Sequence, residues 1–241
     1  MKFTRFLVTL ALLASVTGVA SAQVGSVSLW WDACSSTATP AANLNKQFTP
    51  GVTLYKQVIS AAGAEQISQG WEVAIKISAA GGVFPDAWRF EGGGCNTDLL
   101  VFSTARLNIA CPKLEGLRPL PLFQYDYNNA VSGPNRAILQ AFSAYDPFDP
   151  AAATPYTVFT LTYDMSSSVA GPDPLACGNA DVAVCHHITR HGFLDANNIV
   201  VNWPVGNEFV LWNDAQNSSQ CPGATPTKPA TWGQIKANYH Q

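Results

Sequence analysis

The chain has 241 residues, of which only 12% are charged; 13 Lys and Arg stand against 16 Asp and Glu, for a net charge of −3. So small a balance offers no electrostatic footprint for nucleic acid or for an anionic membrane surface, and neither is an expected partner. With few charges, the surface must draw its polarity from Ser, Thr, Asn, Gln and Gly.

The N-terminus reads MKFTRFLVTLALLASVTGVASAQ. Lys2 and Arg5 precede a short apolar core from Phe6 to Val16, and Ala20-Ser21-Ala22 supplies the small-x-small pattern before a cut at Gln23. This predicts a secretory signal peptide over 1–22, because the apolar run is too short for a membrane anchor. Cleavage leaves 241 − 22 = 219 residues with 13 − 2 = 11 basic and 16 acidic side chains, or −5. That length suits one domain, 23–241, with no membrane span after cleavage and an extracellular or periplasmic location.

Strand patterns follow in chain order. VGSVSLWW sets Val27, Leu29 and Trp31 on one face. QFTPGVTLYKQVISAAGAEQISQG is ambiguous, since Val58 to Gln69 fits either a strand and loop or a short helix. GWEVAIKIS alternates strictly, with Trp71, Val73, Ile75 and Ile77 inward and Glu72, Ala74, Lys76 and Ser78 outward. RAILQAFSAY is apolar on both faces, as in a central strand buried on two sides. YTVFTLTYDM turns Phe159, Leu161, Tyr163 and Met165 inward and Val158, Thr160, Thr162 and Asp164 outward. NNIVVNW and NEFVLWN flank Pro204-Val205-Gly206 as a predicted hairpin. Breakers such as SGPN, DPFDP and AGPDP recur at spacings typical of an antiparallel β-sandwich, of jelly-roll or immunoglobulin-like type. Helical periodicity is confined to TWGQIKANYHQ at the end. Thr231 and Gln234 form a capping box there, and Trp232, Ile235 and Tyr239 form an apolar stripe, which predicts a short C-terminal helix.

The cysteines Cys34, Cys95, Cys111, Cys177, Cys185 and Cys221 all follow the signal peptide. An even count in an exported chain predicts disulfides, and no C-x-x-C supports a redox or zinc motif. Six cysteines allow fifteen pairings. Short spacing favours Cys95–Cys111 and Cys177–Cys185, which leaves Cys34–Cys221.

The stretches WWDAC, GWEVAIKI, FPDAWRFEGGGC, RAILQAF, a late cysteine pair and TWGQIKANY together resemble a group of secreted bacterial β-sandwich proteins over nearly the whole mature chain. More distantly, the strand rhythm is similar to cohesin-like and immunoglobulin-like extracellular modules. The resemblance implies a binding or assembly role and assigns no site residue.

VCHHITRHGF gathers three of the four histidines. In a helix, His187 and His191 would share a face and suit a metal. Its β-branched content predicts a strand instead, which separates them by roughly 13 Å. His186 then points inward with Val182, Val184 and Ile188, while His187, Thr189 and His191 point outward, and no metal site is expected. Asp146, Asp149, Asp195, Asn197 and Asn198 offer oxygens for a structural calcium, but they stand in turn-forming pairs and lack an EF-hand loop. No cofactor is otherwise implied. No nucleophile–base motif or recognisable carboxylate pair is present. Trp30, Trp88, Tyr125 and Tyr127 are the candidate ligand-binding residues, with Tyr125 and Tyr127 on one side of an extended FQYDYNN segment. The expected function is therefore a secreted, non-catalytic binding, adhesion or surface-assembly module for an extracellular glycan or surface protein. The alternative is a secreted glycoside-type hydrolase on a jelly-roll scaffold.

Overall fold

A computed structural model describes residues 26–34, 43–62, 68–79, 83–105, 111–114, 119–151, 154–195, 197 and 199–213. The predicted signal peptide, Cys221 and the predicted C-terminal helix lie outside the described residues.

Among the described residues, twelve strands form two packed sheets. The first orders β11 (Val205–Asn207), β1 (Ser26–Trp31), β3 (Leu54–Ala62), β8 (Pro155–Asp164) and β5 (Leu100–Ser103). The second orders β2 (Asn45–Lys46), β12 (Phe209–Trp212), β9 (Val184–Leu194), β4 (Ser68–Ala79), β7 (Arg136–Phe148) and β6 (Leu120–Tyr127), with β10 (Val200–Val201) also on β9. The named strands pair antiparallel except at the margins, where β11 joins β1 and β2 joins β12 in parallel. Among the described residues no helix is long and apolar enough to cross a membrane.

The core is the meeting of the two inner faces. Val27, Leu29 and Trp31 of β1, Ile59 of β3, and Phe159, Leu161 and Tyr163 of β8 come from one sheet; Trp71, Val73, Ile75 and Ile77 of β4 come from the other. All are buried, as the period-2 pattern requires. Each such side chain contributes on the order of 1.5–3 kcal/mol by leaving water. The ambiguous segment resolves as the strand β3 followed by the start of β4.

Two bulges break the predicted alternation. Ile59 opposes Phe159 while Ser60 opposes Thr157, so Val158 is an extra residue; it joins the core instead of pointing outward. Likewise Ala74 opposes Arg190 while Ile75 opposes Ile188, which leaves Thr189 as the extra residue in β9. One inserted residue reverses the face of everything beyond it. His191 therefore shares the inner face with its partner Val73, contrary to the outward placement read from sequence.

The predicted hairpin around Pro204 is also replaced. β10 pairs with Phe193 and Leu194, β12 with Val184 to His187, so both lie along one edge of the eleven-residue β9. Between them Val205–Asn207 crosses to β1.

Two disulfides among the described residues are Cys34–Cys111 and Cys95–Cys177, which overturns both pairings favoured by spacing and the remaining Cys34–Cys221 with them. The bonds close separations of 77 and 82 residues, because strands distant in sequence bring their loops together. Cys185 is disulfide-bonded as well. Peptide mapping of unreduced protein is expected to recover peptides linked through Cys34–Cys111 and through Cys95–Cys177; recovery of a Cys95–Cys111 peptide would contradict this topology.

Candidate functional site: an apolar trough on the outer sheet face

Register assigns the outward side chains of the second sheet. β4 contributes Glu72, Ala74 and Lys76, opposite Phe142, Gln140 and Ile138 of β7. On β6, Leu120, Leu122, Gln124 and Asp126 stand opposite Ala144, Phe142, Gln140 and Ile138. The face is thus divided. One end is apolar and in water, with Leu120 72%, Leu122 59% and Phe142 47% exposed. The other end carries amides and charges, including Gln124, whose amide donates to Asp126 at 2.8 Å.

At the apolar end lies an open trough of about 590 Å³, lined in part by Leu122, Phe142, Ala144, Leu194 and Val200. Gly192 lines the trough, and Gly70 stands opposite two of its lining residues, Ala144 and Leu194. A Cβ on Gly192 would stand 2.6 Å from Val200 Cγ1, so the missing side chain lets Val200 lie against the sheet. A Cβ on Gly70 would stand 2.7 Å from the Ser143 carbonyl oxygen and 3.0 Å from Leu194 Cδ1. Glu72 and Arg190 line the polar side and form an ion pair at 3.5 Å. Both are largely exposed, so the pair contributes little to stability. Among the described residues lining the trough, Glu72 is the one carboxylate.

The predicted ligand platforms lie elsewhere. Trp88 sits in a 3-10 turn, Asp86–Trp88, and is 0% exposed; Trp30 is 8% exposed. Trp30 Nε1 donates to Ser60 Oγ at 3.1 Å, and its cross-strand partner Val58 is covered by Cys111 and Cys34. Tyr125 and Tyr127 do share a side, as predicted, but it is the inner one. The Tyr125 hydroxyl donates to the Trp88 carbonyl, and its ring meets Phe90 at 5.8 Å. Burial pushes the Tyr125 phenol well above its ordinary value. Tyr127 packs on Phe84 at 5.1 Å and beneath the Arg89 guanidinium at 4.8 Å. The hydrogen bond from Arg89 to Glu91 raises the Arg89 pKa further. These four residues bind the fold together and are not assembled into one open surface.

The histidines divide as well. His187 points outward and meets Glu208 Oε1 at 2.7 Å, while the His191 ring is hydrogen-bonded to the Trp203 carbonyl. His186 is fully buried, and Gln57 Nε2 donates to its Nδ1 at 3.1 Å. Tyr163 donates in turn to Gln57 Oε1 at 2.8 Å. That arrangement leaves the proton on Nε2, which has no partner among the described residues. Trp31 and Trp88 surround the ring at 5.4 and 4.7 Å, and desolvation lowers its pKa to about 3. Of the oxygens considered for calcium, Asp195 Oδ1 accepts the Asn197 and Ile199 amides at 2.8 Å each, which holds its carboxyl below the ordinary value. Asp146 and Asp149 belong to the end of β7 and the loop after it. Asn198 lies outside the described residues.

PLPLFQYDY and RAILQAF are apolar at outward as well as inward positions of β6 and β7. In RAILQAFSAY that pattern predicts burial on both faces, but Phe142 is 47% exposed on the outer face.

The molecule is thus an all-β, disulfide-bonded sandwich with an apolar depression on one outer face. No protein-family model matches the chain, and no curated protein matches it. Among solved structures it is similar to a cohesin module from a Clostridium perfringens ATCC13124 family 33 glycoside hydrolase, with a TM-score of 0.38 at 8% identity over 79% of this chain and 97% of that one. It is also similar to a type II cohesin domain from the cellulosome of Acetivibrio cellulolyticus, with a TM-score of 0.39 at 10% identity over 79% and 95%.

Proposed function

We propose that the chain is a secreted, non-catalytic binding module that engages a protein partner through the outer face of its second sheet. The observation that carries this reading is the exposure of Leu120, Leu122 and Phe142 beside a trough, where apolar surface has no structural role in water. Rigid strands hold these side chains, so little conformational entropy is lost when a partner covers them. Among the described residues, Phe142 is the one aromatic side chain that the register turns outward in the trough, which supports an apolar protein segment over a row of sugar-stacking platforms. The signal-like N-terminus and the disulfides support export.

The test is selection of a displayed random-peptide library on the mature protein. Enriched peptides are expected to carry large aliphatic or aromatic side chains, and to lose at least tenfold in affinity for a Leu122→Glu, Phe142→Asp variant. Phe142 stands opposite both Leu122 and Glu72, so the variant's adjacent carboxylates should cost roughly 1 kcal/mol of stability, and a denaturant melt checks that it remains folded at the binding temperature. Peptides indifferent to the variant, or saturable binding on a glycan array with no peptide enrichment, would contradict the proposal.

A further inference from the structure

The loops at the other end of the second sheet carry a surface of different chemistry. Ala79 opposes Val184 and Ser78 opposes Arg136, so β4, β7 and β9 share one end, where residues 83–99, 128–135 and 165–183 gather. Along β9 this end lies at Val184 and the trough at Leu194, roughly 33 Å away. Each loop holds an aliphatic side chain in water: Val83 is 75%, Val131 59% and Leu175 95% exposed.

Local structure fixes these side chains there. Phe84, next to Val83, packs at 5.1 Å on Tyr127, where the second loop begins. Asn129 Oδ1 accepts the amides of Val131 and Ser132 at 2.9 and 2.8 Å, and Asp173 Oδ1 accepts the Leu175 amide at 2.8 Å. The first and third loops are joined by the Cys95–Cys177 disulfide and by the Ala87 amide, which donates to the Gly178 carbonyl at 3.1 Å. Burial would stabilise all three aliphatic groups, and the fold holds them out instead.

The same loops concentrate negative charge. They contain Asp86, Glu91, Asp98, Asp173 and Asp181 against Arg89 alone, or 1 − 5 = −4, beside −5 for the whole predicted mature chain. Arg89 meets both Asp86 and Glu91, at 3.8 and 2.7 Å, and one cation offsets only one of those two carboxylates. Asp98, Asp173 and Asp181 are exposed and have no ion-pair partner among the described residues. Asp181 accepts the Gly171 amide at 2.7 Å, a bond that leaves its charge uncompensated.

We infer that this loop end is a second docking surface, and that its occupant is a protein segment in which Lys or Arg side chains flank aliphatic ones. The aliphatic tips meet the partner's apolar side chains, and the unpaired carboxylates meet the cations beside them. Such charge speeds encounter and turns away acidic competitors, an anionic lipid surface included. Preordered loops lose little entropy when they are covered.

The experiment selects a displayed random-peptide library on the mature Leu122→Glu, Phe142→Asp variant, so that trough binders are not recovered. Enriched peptides are expected to combine Lys or Arg with Leu, Ile or Val and to bind wild type equally well. Their affinity should fall about tenfold or more for Val83→Ser, Val131→Ser, Leu175→Ser, and several-fold for Leu175→Ser alone. It should also fall several-fold for Asp98→Asn, Asp173→Asn, Asp181→Asn, which keeps the oxygens that accept the Gly171 and Leu175 amides. Asn suits the left-handed φ of 65° at position 98. Added salt should weaken binding to wild type more than to the Asn variant, and denaturant melts check that each variant is folded. No enrichment, enrichment of acidic or uncharged peptides, or affinities unmoved by the serine and asparagine variants would overturn the inference. If selection fails here while wild type still yields peptides that depend on Leu122 and Phe142, the loop surface falls and the trough stands. If loop-dependent peptides appear and trough-dependent ones do not, the trough reading falls and the loop surface stands.

Discussion

Acidification from pH 6.5 to pH 3 is expected to cost the fold roughly 4 to 5 kcal/mol through His186 alone. The ring is fully buried and neutral, with burial holding its pKa at about 3 against an ordinary 6.5. The unfolded chain therefore binds the proton first. The associated stability is complete above about pH 6.5 and drains away as pH falls towards 3, by up to about 1.4 kcal/mol for each pH unit. The residues packed on the ring offer no compensating charge: Gln57 and Tyr163 are neutral, and Trp31 and Trp88 are aromatic. Denaturant melts across pH 3–7 would measure this. His186→Phe should flatten the profile, while lowering stability near neutrality by about 1 to 3 kcal/mol because the Gln57 amide loses its acceptor. Wild type and His186→Phe profiles of equal steepness would show that acid sensitivity has another source.

Trp88→Ala should cost a similar amount, about 3 to 5 kcal/mol, by opening a cavity where the core is most aromatic. The indole meets Tyr163 at 5.0 Å, His186 at 4.7 Å and Trp212 at 5.1 Å, all edge to face. Its carbonyl also accepts the Tyr125 hydroxyl, so the turn that carries it ties β6 to the core. Trp88→Phe keeps a ring in place and should lose distinctly less. Equilibrium unfolding of both variants would check this; a loss below about 1 kcal/mol for Trp88→Ala would mean that the core closes around the gap.

Trp88 also shows where sequence reasoning reaches its limit. Strict alternation in GWEVAIKI and VGSVSLWW identified the inward faces of β4 and β1, because period 2 is a property of the strand itself. Trp88 stands in a short turn with no period, so nothing local marked it as core. Thr189 and Val158 look like ordinary strand residues, yet each is a bulge, and a bulge is defined by the strand opposite. Disulfide partners were illegible for the same reason. Cys95 and Cys177 meet where loops gather near Asn96, whose side-chain amide donates to Ala87 O at 2.7 Å and Ser168 Oγ at 2.9 Å. Spacing along the chain carries no trace of that meeting. The trough residues are legible as apolar, but their exposure depends on whether another layer packs over that face, which no local pattern records.

On the proposed function, the outer face of the second sheet binds a protein segment by burying Leu122 and Phe142. Calorimetric titration of the mature protein with its best library-selected peptide, at several temperatures, tests this most directly. The expected result is a negative heat-capacity change of binding, the mark of apolar burial, and at least a tenfold weaker Kd for Leu122→Glu, Phe142→Asp. A heat-capacity change near zero, or an affinity untouched by that variant, would contradict it.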